Sequence, residues 1–103
     1  SLVGNKNLFI VYDTGNRFSI EKPRNDILKL SKNIKHVHIK DKRNYANVQI
    51  GTGEVDFIEV FESLKLIEYN GYLNFETNRG INPISTMKHN IRYLEFIKEQ
   101  VNF

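Results

Sequence analysis

Residues 34–38 read IKHVH, a short apolar run that ends in histidine, and two comparable runs flank it. Residues 8–13 read LFIVYD and residues 72–76 read YLNFE, so these runs end in aspartate and glutamate. Helix-like segments lie between the runs, and strands that alternate with helices are typical of a parallel sheet. Parallel strands place their carboxyl ends at one edge, where such folds hold their chemistry. We therefore expect three side chains to converge there: Asp13, His38 and Glu76.

The length and composition fit one small globular domain. The chain has 103 residues, of which 40% are hydrophobic and 26% charged, as in ordinary globular proteins. No apolar run approaches the roughly 20 residues that a membrane span needs. No signal peptide is recognisable, and the absence of cysteine excludes disulfides and thiolate metal sites. These features predict a cytoplasmic protein without a membrane partner.

The net charge of +3 is spread along the chain, apart from a small cluster at Lys40, Lys42 and Arg43. Such a cluster is either a solvated surface or a region that attracts phosphorylated substrates. Nucleic-acid binding is not expected, because it calls for a denser basic stripe with interleaved aromatic residues. The chain begins with Ser1, and Met87 is its only methionine, so we expect a fragment of a longer protein.

Local patterns predict three strands and three helices. Residues 8–13, 35–40 and 72–77 are expected to be strands, with Thr14-Gly15-Asn16 breaking the first. Helices are expected over residues 23–33, 57–68 and from Pro83 onward, because Pro23, Asp56 and Asn82 suit helix starts. Glu59 would complete a capping box with Asp56. The inner stripe of the last helix is expected to be Ile84, Met87, Ile91, Leu94, Ile97 and Val101.

Two segments between these elements read as loops. Residues 41–55 are polar and rich in glycine, and loops of this length are often functional. Gly51-Thr52-Gly53 within it is either a flexible turn or a set of backbone N–H groups that closes the site over substrate. Residues 77–80 form the second loop, at the rim after the third strand.

Two carboxylates and one imidazole suit Mn²⁺, Mg²⁺, Co²⁺ or Zn²⁺. Each residue also has an ordinary explanation: Asp13 as a turn former, His38 as a satisfied rim histidine, and Glu76 as a solvated charge. Recurrence at three strand ends favours the metal site. His36 faces the same way but lies roughly 6–7 Å deeper along the strand, which suggests a packing role or support of the site.

Four segments together resemble a known family. They are DTGN at 13–16, HVHIKD at 36–41, GTGEVDF at 51–57 and GYLNFE at 71–76. Their order and spacing resemble the xylose isomerase-like TIM barrels, in particular the sugar phosphate isomerase/epimerase group. The resemblance implies a partial TIM barrel, in which residues 1–103 are the C-terminal portion and supply strands six to eight.

The same resemblance implies a divalent metal held by Asp13, His38 and Glu76, with a fourth ligand, a strand-five glutamate, upstream of Ser1. It implies isomerisation or epimerisation of a small sugar or sugar phosphate through a metal-stabilised enediolate. Glu76 would be one of two glutamates that exchange the proton. Lys40, Arg43 and Asn16 would bind substrate. Asn16 stands where the family often has histidine, and Arg43 is one residue short of a common arginine position.

Two alternatives remain open at this point. One is a metal-dependent nuclease related to the apurinic-site endonucleases, against which Asn16 in place of histidine counts. The other is a non-catalytic truncated barrel, since three strands with helices on one side leave a sheet face and two edges uncovered. In that case the partners would be the remainder of the barrel or further copies of the chain. The 103-residue chain alone is expected to be inactive and to bind metal poorly.

Overall fold

The computed structural model describes residues 9–76 and 82–103. The strands are β1 (Ile10–Asp13), β2 (Ile34–Ile39), β3 (Asp41–Arg43), β4 (Ala46–Val48) and β5 (Tyr72–Phe75). The α-helices are α1 (Thr14–Arg17), α2 (Pro23–Leu30), α3 (Phe57–Leu66) and α4 (Pro83–Val101), with a 3₁₀ turn at Ser31–Asn33. Within these residues, no helix is both long and apolar enough to cross a membrane.

Three strands form a parallel sheet in the order β1-β2-β5, so β1 and β5 are its edges. Asp13 is paired in register with His38, and His38 with Asn74. The backbone N–H of Glu76 donates to the carbonyl of Ile39 at 3.0 Å, which extends the alignment past the end of β5. The predicted parallel α/β arrangement is therefore confirmed, and all three strands end at the same edge.

Alternation along the strands gives the sheet one covered face and one open face. Tyr12, Val37 and Ile39 are buried against the helices, as residues two apart on a strand should be. The remaining core comes chiefly from α2, α3 and the last turns of α4: Ile27, Val60, Phe61, Leu64, Ile97 and Val101. The opposite face carries Asp13, His38 and Glu76, together with the exposed side chains of Val11 and Tyr72.

The helix starts follow the predicted caps. The Asp56 carboxylate accepts from the Glu59 N–H at 3.0 Å, and Asn82 caps α4 through the N–H groups of Ile84 and Ser85. The capping box was wrong in its second half. The Glu59 carboxylate accepts from the backbone N–H of Arg24 at 3.1 Å, so it joins α3 to α2 instead of closing its own helix.

Several predicted boundaries differ from the structure. Thr14 to Arg17 form the short helix α1 where a simple chain break was expected. The helix predicted over 23–33 ends at Leu30 and continues as a 3₁₀ turn, and the helix predicted to reach 68 ends at Leu66. β1 begins at Ile10 and β5 ends at Phe75, while the rim loop at 77–80 lies outside the described residues.

The predicted long loop at 41–55 was wrong, because it contains an antiparallel hairpin of β3 and β4. Asn44 and Tyr45 form its two-residue turn with φ of 52° and 67°. Positive φ at both turn positions matches the twist of the flanking strands. The turn residues are not the usual Asn-Gly or Asp-Gly pair, so no hairpin motif is recognisable at these positions.

The predicted inner stripe of α4 was wrong in its first half. Ile97 and Val101 are buried, but Ile84 is 65% exposed, Met87 59% and Ile91 44%. A helix buries only the part of its apolar face that another element covers. Helix α3 packs against the last turns of α4, and the apolar residues of its first turns stay open within the described chain.

Candidate metal centre

Asp13, His38 and Glu76 lie together at the carboxyl edge of the sheet. One ligand atom from each lies within 4.8 Å of the others. Asp13 is the last residue of β1, His38 is the penultimate residue of β2, and Glu76 directly follows β5. The parallel strands β1, β2 and β5 end at the same edge, and this brings two carboxylates and an imidazole together.

Hydrogen bonds orient the two acidic side chains differently. Asp13 caps α1, because its Oδ1 accepts from the Asn16 N–H at 3.0 Å. Oδ2 of Asp13 points to the ammonium of Lys40, at 3.4 Å. Oε2 of Glu76 contacts Nδ1 of His38. Asp13 is thus held by the backbone, whereas Glu76, whose side chain is 51% exposed, is held by other side chains.

Lys40 places one positive charge beside the two carboxylates of this cluster. Its Nζ lies 3.4 Å from Asp13 Oδ2 and 3.7 Å from Glu76 Oε1, and its side chain is only 13% exposed. The residues of the predicted basic cluster, Lys40, Lys42 and Arg43, therefore do not act together at one site. Lys40 faces the carboxylates, whereas the guanidinium of Arg43 donates to the Thr52 carbonyl at 3.1 Å on the exposed hairpin.

The residues after β1 hold Lys40 in place. The buried hydroxyl of Thr14 accepts from the Lys40 N–H at 2.9 Å and donates to the Lys40 carbonyl at 2.6 Å. A Cβ at Gly15 would come within 2.7 Å of Lys40 Cγ, so the absence of a side chain there makes room for the lysine stem. The Thr14 hydrogen bonds and the space at Gly15 both come from the segment Asp13-Thr14-Gly15, for which the sequence analysis predicted only a break after the strand.

His36 lies beneath the cluster, as its position on the strand indicated. Its ring meets that of His38 edge to face, with centroids 4.8 Å apart, and the ring of Tyr72 is 6.0 Å away. Among residues 9–76 and 82–103, no group hydrogen-bonds to its buried Nε2. Edge-to-face contact of this kind fixes ring orientation, so His36 supports the placement of His38.

Asp41 organises the connection after β2, and sequence reasoning missed it. Its side chain is 1% exposed, and its carboxylate accepts from the N–H groups of Gly51 at 3.0 Å, Gly53 at 2.9 Å and Val55 at 3.2 Å. The idea that Gly51-Thr52-Gly53 closes over substrate through free N–H groups was therefore wrong. The sequence signal for this role is an aspartate soon after a buried strand with a Gly-x-Gly turn ten residues later.

The donor set fits a divalent cation. Two carboxylate oxygens and one imidazole nitrogen are the ligand types that Mn²⁺, Mg²⁺, Co²⁺ and Zn²⁺ accept in mixed sites. One ligand atom of each residue already lies within 4.8 Å of the other two, so the three groups are close enough to bind a single ion. Asn16 is exposed at the rim, and its backbone N–H orients the Asp13 ligand.

Comparison with known proteins identifies the fold family. The sequence profile of the family described as xylose isomerase-like TIM barrel matches residues 1–97. An uncharacterised protein of Methanocaldococcus jannaschii is 35% identical over 105 residues, a match that covers 96% of this chain and 36% of the relative. An inosose dehydratase of Clostridium botulinum is 27% identical over 115 residues, covering 92% of this chain and 39% of the relative.

A solved structure agrees with these relatives. The crystal structure of a D-tagatose 3-epimerase-like protein superposes with a TM-score of 0.74 and 32% identity, covering 97% of this chain and 40% of the other. The chain thus spans about two fifths of the length of the proteins it matches. Its three parallel strands and their helices correspond to part of a barrel. The chain belongs to the xylose isomerase-like TIM barrel family.

Proposed function

We propose that the chain supplies three metal ligands and one proton-transfer group of a sugar isomerase or epimerase. The observation that carries this proposal is the meeting of Asp13, His38 and Glu76 within 4.8 Å at the carboxyl edge of the sheet. Family membership supports it, because barrels of this kind hold their chemistry at that edge. The D-tagatose 3-epimerase-like protein adds support for a sugar substrate.

In this proposal the three strands are strands six, seven and eight of a barrel, and residues 1–103 are its C-terminal portion. The fourth ligand is a glutamate of strand five, supplied by the remainder of the barrel. The same remainder, or a second copy of the chain, covers the open sheet face and the β1 and β5 edges. A cytoplasmic location and substrate contacts by Lys40, Arg43 and Asn16 stay predictions.

Glu76 is the proposed proton-transfer group. A divalent ion bound by Asp13, His38 and Glu76 would supply Lewis acidity toward a ketose carbonyl oxygen. The Glu76 carboxylate is 51% exposed, so a sugar can reach it. It removes the proton from the carbon beside the carbonyl, and the electron pair moves onto the carbonyl oxygen. A second acid on the opposite face of the sugar returns a proton to the carbon skeleton.

Removal of a proton beside a carbonyl is a step that several reactions share. Epimerisation follows if the proton returns to the other face, and isomerisation follows if it returns to the neighbouring carbon. Loss of water from a keto-sugar can begin in the same way, which is relevant because one relative is an inosose dehydratase. The substrate is therefore proposed as a small ketose or ketose phosphate.

Solvent deuterium exchange tests this proposal. Ketoses and their phosphates are incubated in D₂O with Mn²⁺, and proton loss beside the carbonyl is followed by NMR. The chain within a complete eight-stranded barrel is expected to catalyse exchange, whereas the 103-residue chain alone is expected to be inactive. Glu76→Gln should abolish exchange, and Glu62→Gln, on the exposed surface of α3, should leave it unchanged.

Two results would contradict the proposal. Exchange that persists in Glu76→Gln would remove Glu76 from the chemistry. Failure of every ketose, combined with cleavage of a DNA strand that contains an abasic site, would favour the nuclease alternative.

A further inference from the structure

The side chain of Lys40 lies against the proposed metal ligands. Its Nζ is 3.4 Å from Asp13 Oδ2 and 3.7 Å from Glu76 Oε1. With 13% of the side chain exposed, it is more enclosed than Glu76, which is 51% exposed. The ammonium is therefore the positive group that two converging carboxylates face.

This position is built into the fold. Thr14 fixes the backbone of Lys40 through its N–H and its carbonyl, across 26 residues of sequence. Gly15 leaves room for the aliphatic stem, which an added Cβ would meet at 2.7 Å. The ammonium thus approaches the carboxylates along a path set by α1 and the end of β2.

An ammonium and a divalent ion cannot both lie close to the same carboxylates without repelling each other. Two unit charges at about 4 Å interact by roughly 1 kcal/mol in water and by several times more near a protein surface. A divalent ion doubles that repulsion. When the ion binds, either the Lys40 ammonium moves away from the carboxylates or the ion binds with lower affinity.

We propose that Lys40 is the internal counter-cation of Asp13 and Glu76 and competes with the divalent ion for them, so that it sets the metal affinity of the site. This inference rests on the proposed metal centre. Lys40 acts here as a positioning residue, since it keeps the two carboxylates paired with a positive charge when no ion is bound.

Mn²⁺ binding to four forms of the chain, each within a complete eight-stranded barrel, tests the inference. Free Mn²⁺ is measured by electron paramagnetic resonance for the wild type, Lys40→Met, Lys40→Arg and Lys42→Met. Lys40→Met keeps the stem and removes the charge, so it is expected to bind Mn²⁺ at least about tenfold more tightly. Lys40→Arg and Lys42→Met are expected to stay within about threefold of the wild type.

Folding is checked by circular dichroism, and Lys40→Gln replaces the methionine variant if that variant does not fold. If the wild type binds Mn²⁺ and neither uncharged variant binds it more tightly, the inference is overturned while the metal site stands. If neither the wild type nor an uncharged variant binds Mn²⁺, the metal site and the inference both fail.

Discussion

The hydroxyl of Thr14 accepts a hydrogen bond from the N–H of Lys40 at 2.9 Å and donates one to the Lys40 carbonyl at 2.6 Å. One buried side chain thereby joins the start of α1 to the end of β2. The metal ligand Asp13 precedes Thr14, and His38 lies two residues before Lys40. The β1–β2 pairing places these two proposed ligands side by side, and the hydroxyl ties together the segments that follow them.

Thr14→Val is expected to destabilise the chain. Valine keeps the shape of threonine but leaves the N–H and the carbonyl of Lys40 without their partner, and a buried unsatisfied polar group costs about 1–3 kcal/mol. Thr14→Ser retains the hydroxyl and is expected to cost less than about 1 kcal/mol, for the lost methyl group. Urea unfolding at neutral pH measures both. Equal stability of the two variants would show that the hydroxyl bonds contribute nothing.

Asp41→Asn is expected to disorganise the turn before α3. The carboxylate accepts N–H groups at both oxygens, from Gly51 and Gly53 at one and from Val55 at the other. An amide offers one acceptor and turns a donor toward the remaining N–H groups. The expected loss in the free energy of unfolding is about 3 kcal/mol, since bonds to charged groups contribute about 1.5–3 kcal/mol each.

Asp56→Asn is the matched control for this variant. It makes the same chemical change at an exposed helix cap, where asparagine serves as well as aspartate, so it should alter stability by less than about 0.5 kcal/mol. An Asp41→Asn protein as stable as Asp56→Asn would contradict the role given to the buried carboxylate.

Tyr12 predicts how stability changes at alkaline pH. Burial raises the pKa of the Tyr12 phenol well above its ordinary value, and the Asp26 carboxylate adds to the shift. The unfolded chain ionises Tyr12 near pH 10, whereas the folded chain keeps it neutral. Ionisation then favours the unfolded state, so this contribution to stability is intact below about pH 10 and is lost as the pH rises above it.

Tyr12→Phe should remove that pH dependence. Among the residues that the structure describes, no group hydrogen-bonds to the Tyr12 hydroxyl, so the variant is expected to match the wild type at pH 7 within about 1 kcal/mol. It should be the more stable of the two at pH 11. Urea midpoints at both pH values give the comparison. Parallel losses in the two proteins would assign the alkaline instability to other groups.

The exposed side of α4 predicts self-association of the isolated chain. Ile84, Met87 and Ile91 are spaced along one helix face and are 44–65% exposed. Apolar side chains that are adjacent in this way favour burial against a partner. Sedimentation should therefore show a mass that rises with protein concentration. Met87→Lys should lower that tendency, whereas the nearby Lys88→Met should not, and a strictly monomeric wild type would contradict the expectation.

Local rules were enough to predict the three parallel strands, though not their exact bounds, and the helix caps at Asp56 and Asn82. Asp56 and Asn82 bond to N–H groups within three residues of themselves, so their roles depend on nearby sequence alone. The convergence of Asp13, His38 and Glu76 followed from a parallel sheet, because that topology brings strand ends to one edge.

The misses involve contacts between distant residues. The link from Thr14 to Lys40 spans 26 residues, and Glu59 reaches Arg24 across 35, so neither appears in a local pattern. The exposure of Ile84 depends on what covers α4, which helical periodicity does not specify. The hairpin was missed because Tyr45 adopts a positive φ that is uncommon for a bulky residue.

The metal centre itself is tested most directly by anomalous diffraction from crystals, grown with Mn²⁺, of the chain within a complete eight-stranded barrel. We expect one strong peak at the carboxyl edge of the sheet, within roughly 2.0–2.5 Å of ligand atoms from Asp13, His38 and Glu76. The Lys40 ammonium should then lie farther from Asp13 Oδ2 and Glu76 Oε1 than 3.4 Å and 3.7 Å. A peak elsewhere, or no peak at saturating Mn²⁺, would contradict the claim that these three side chains share one ion.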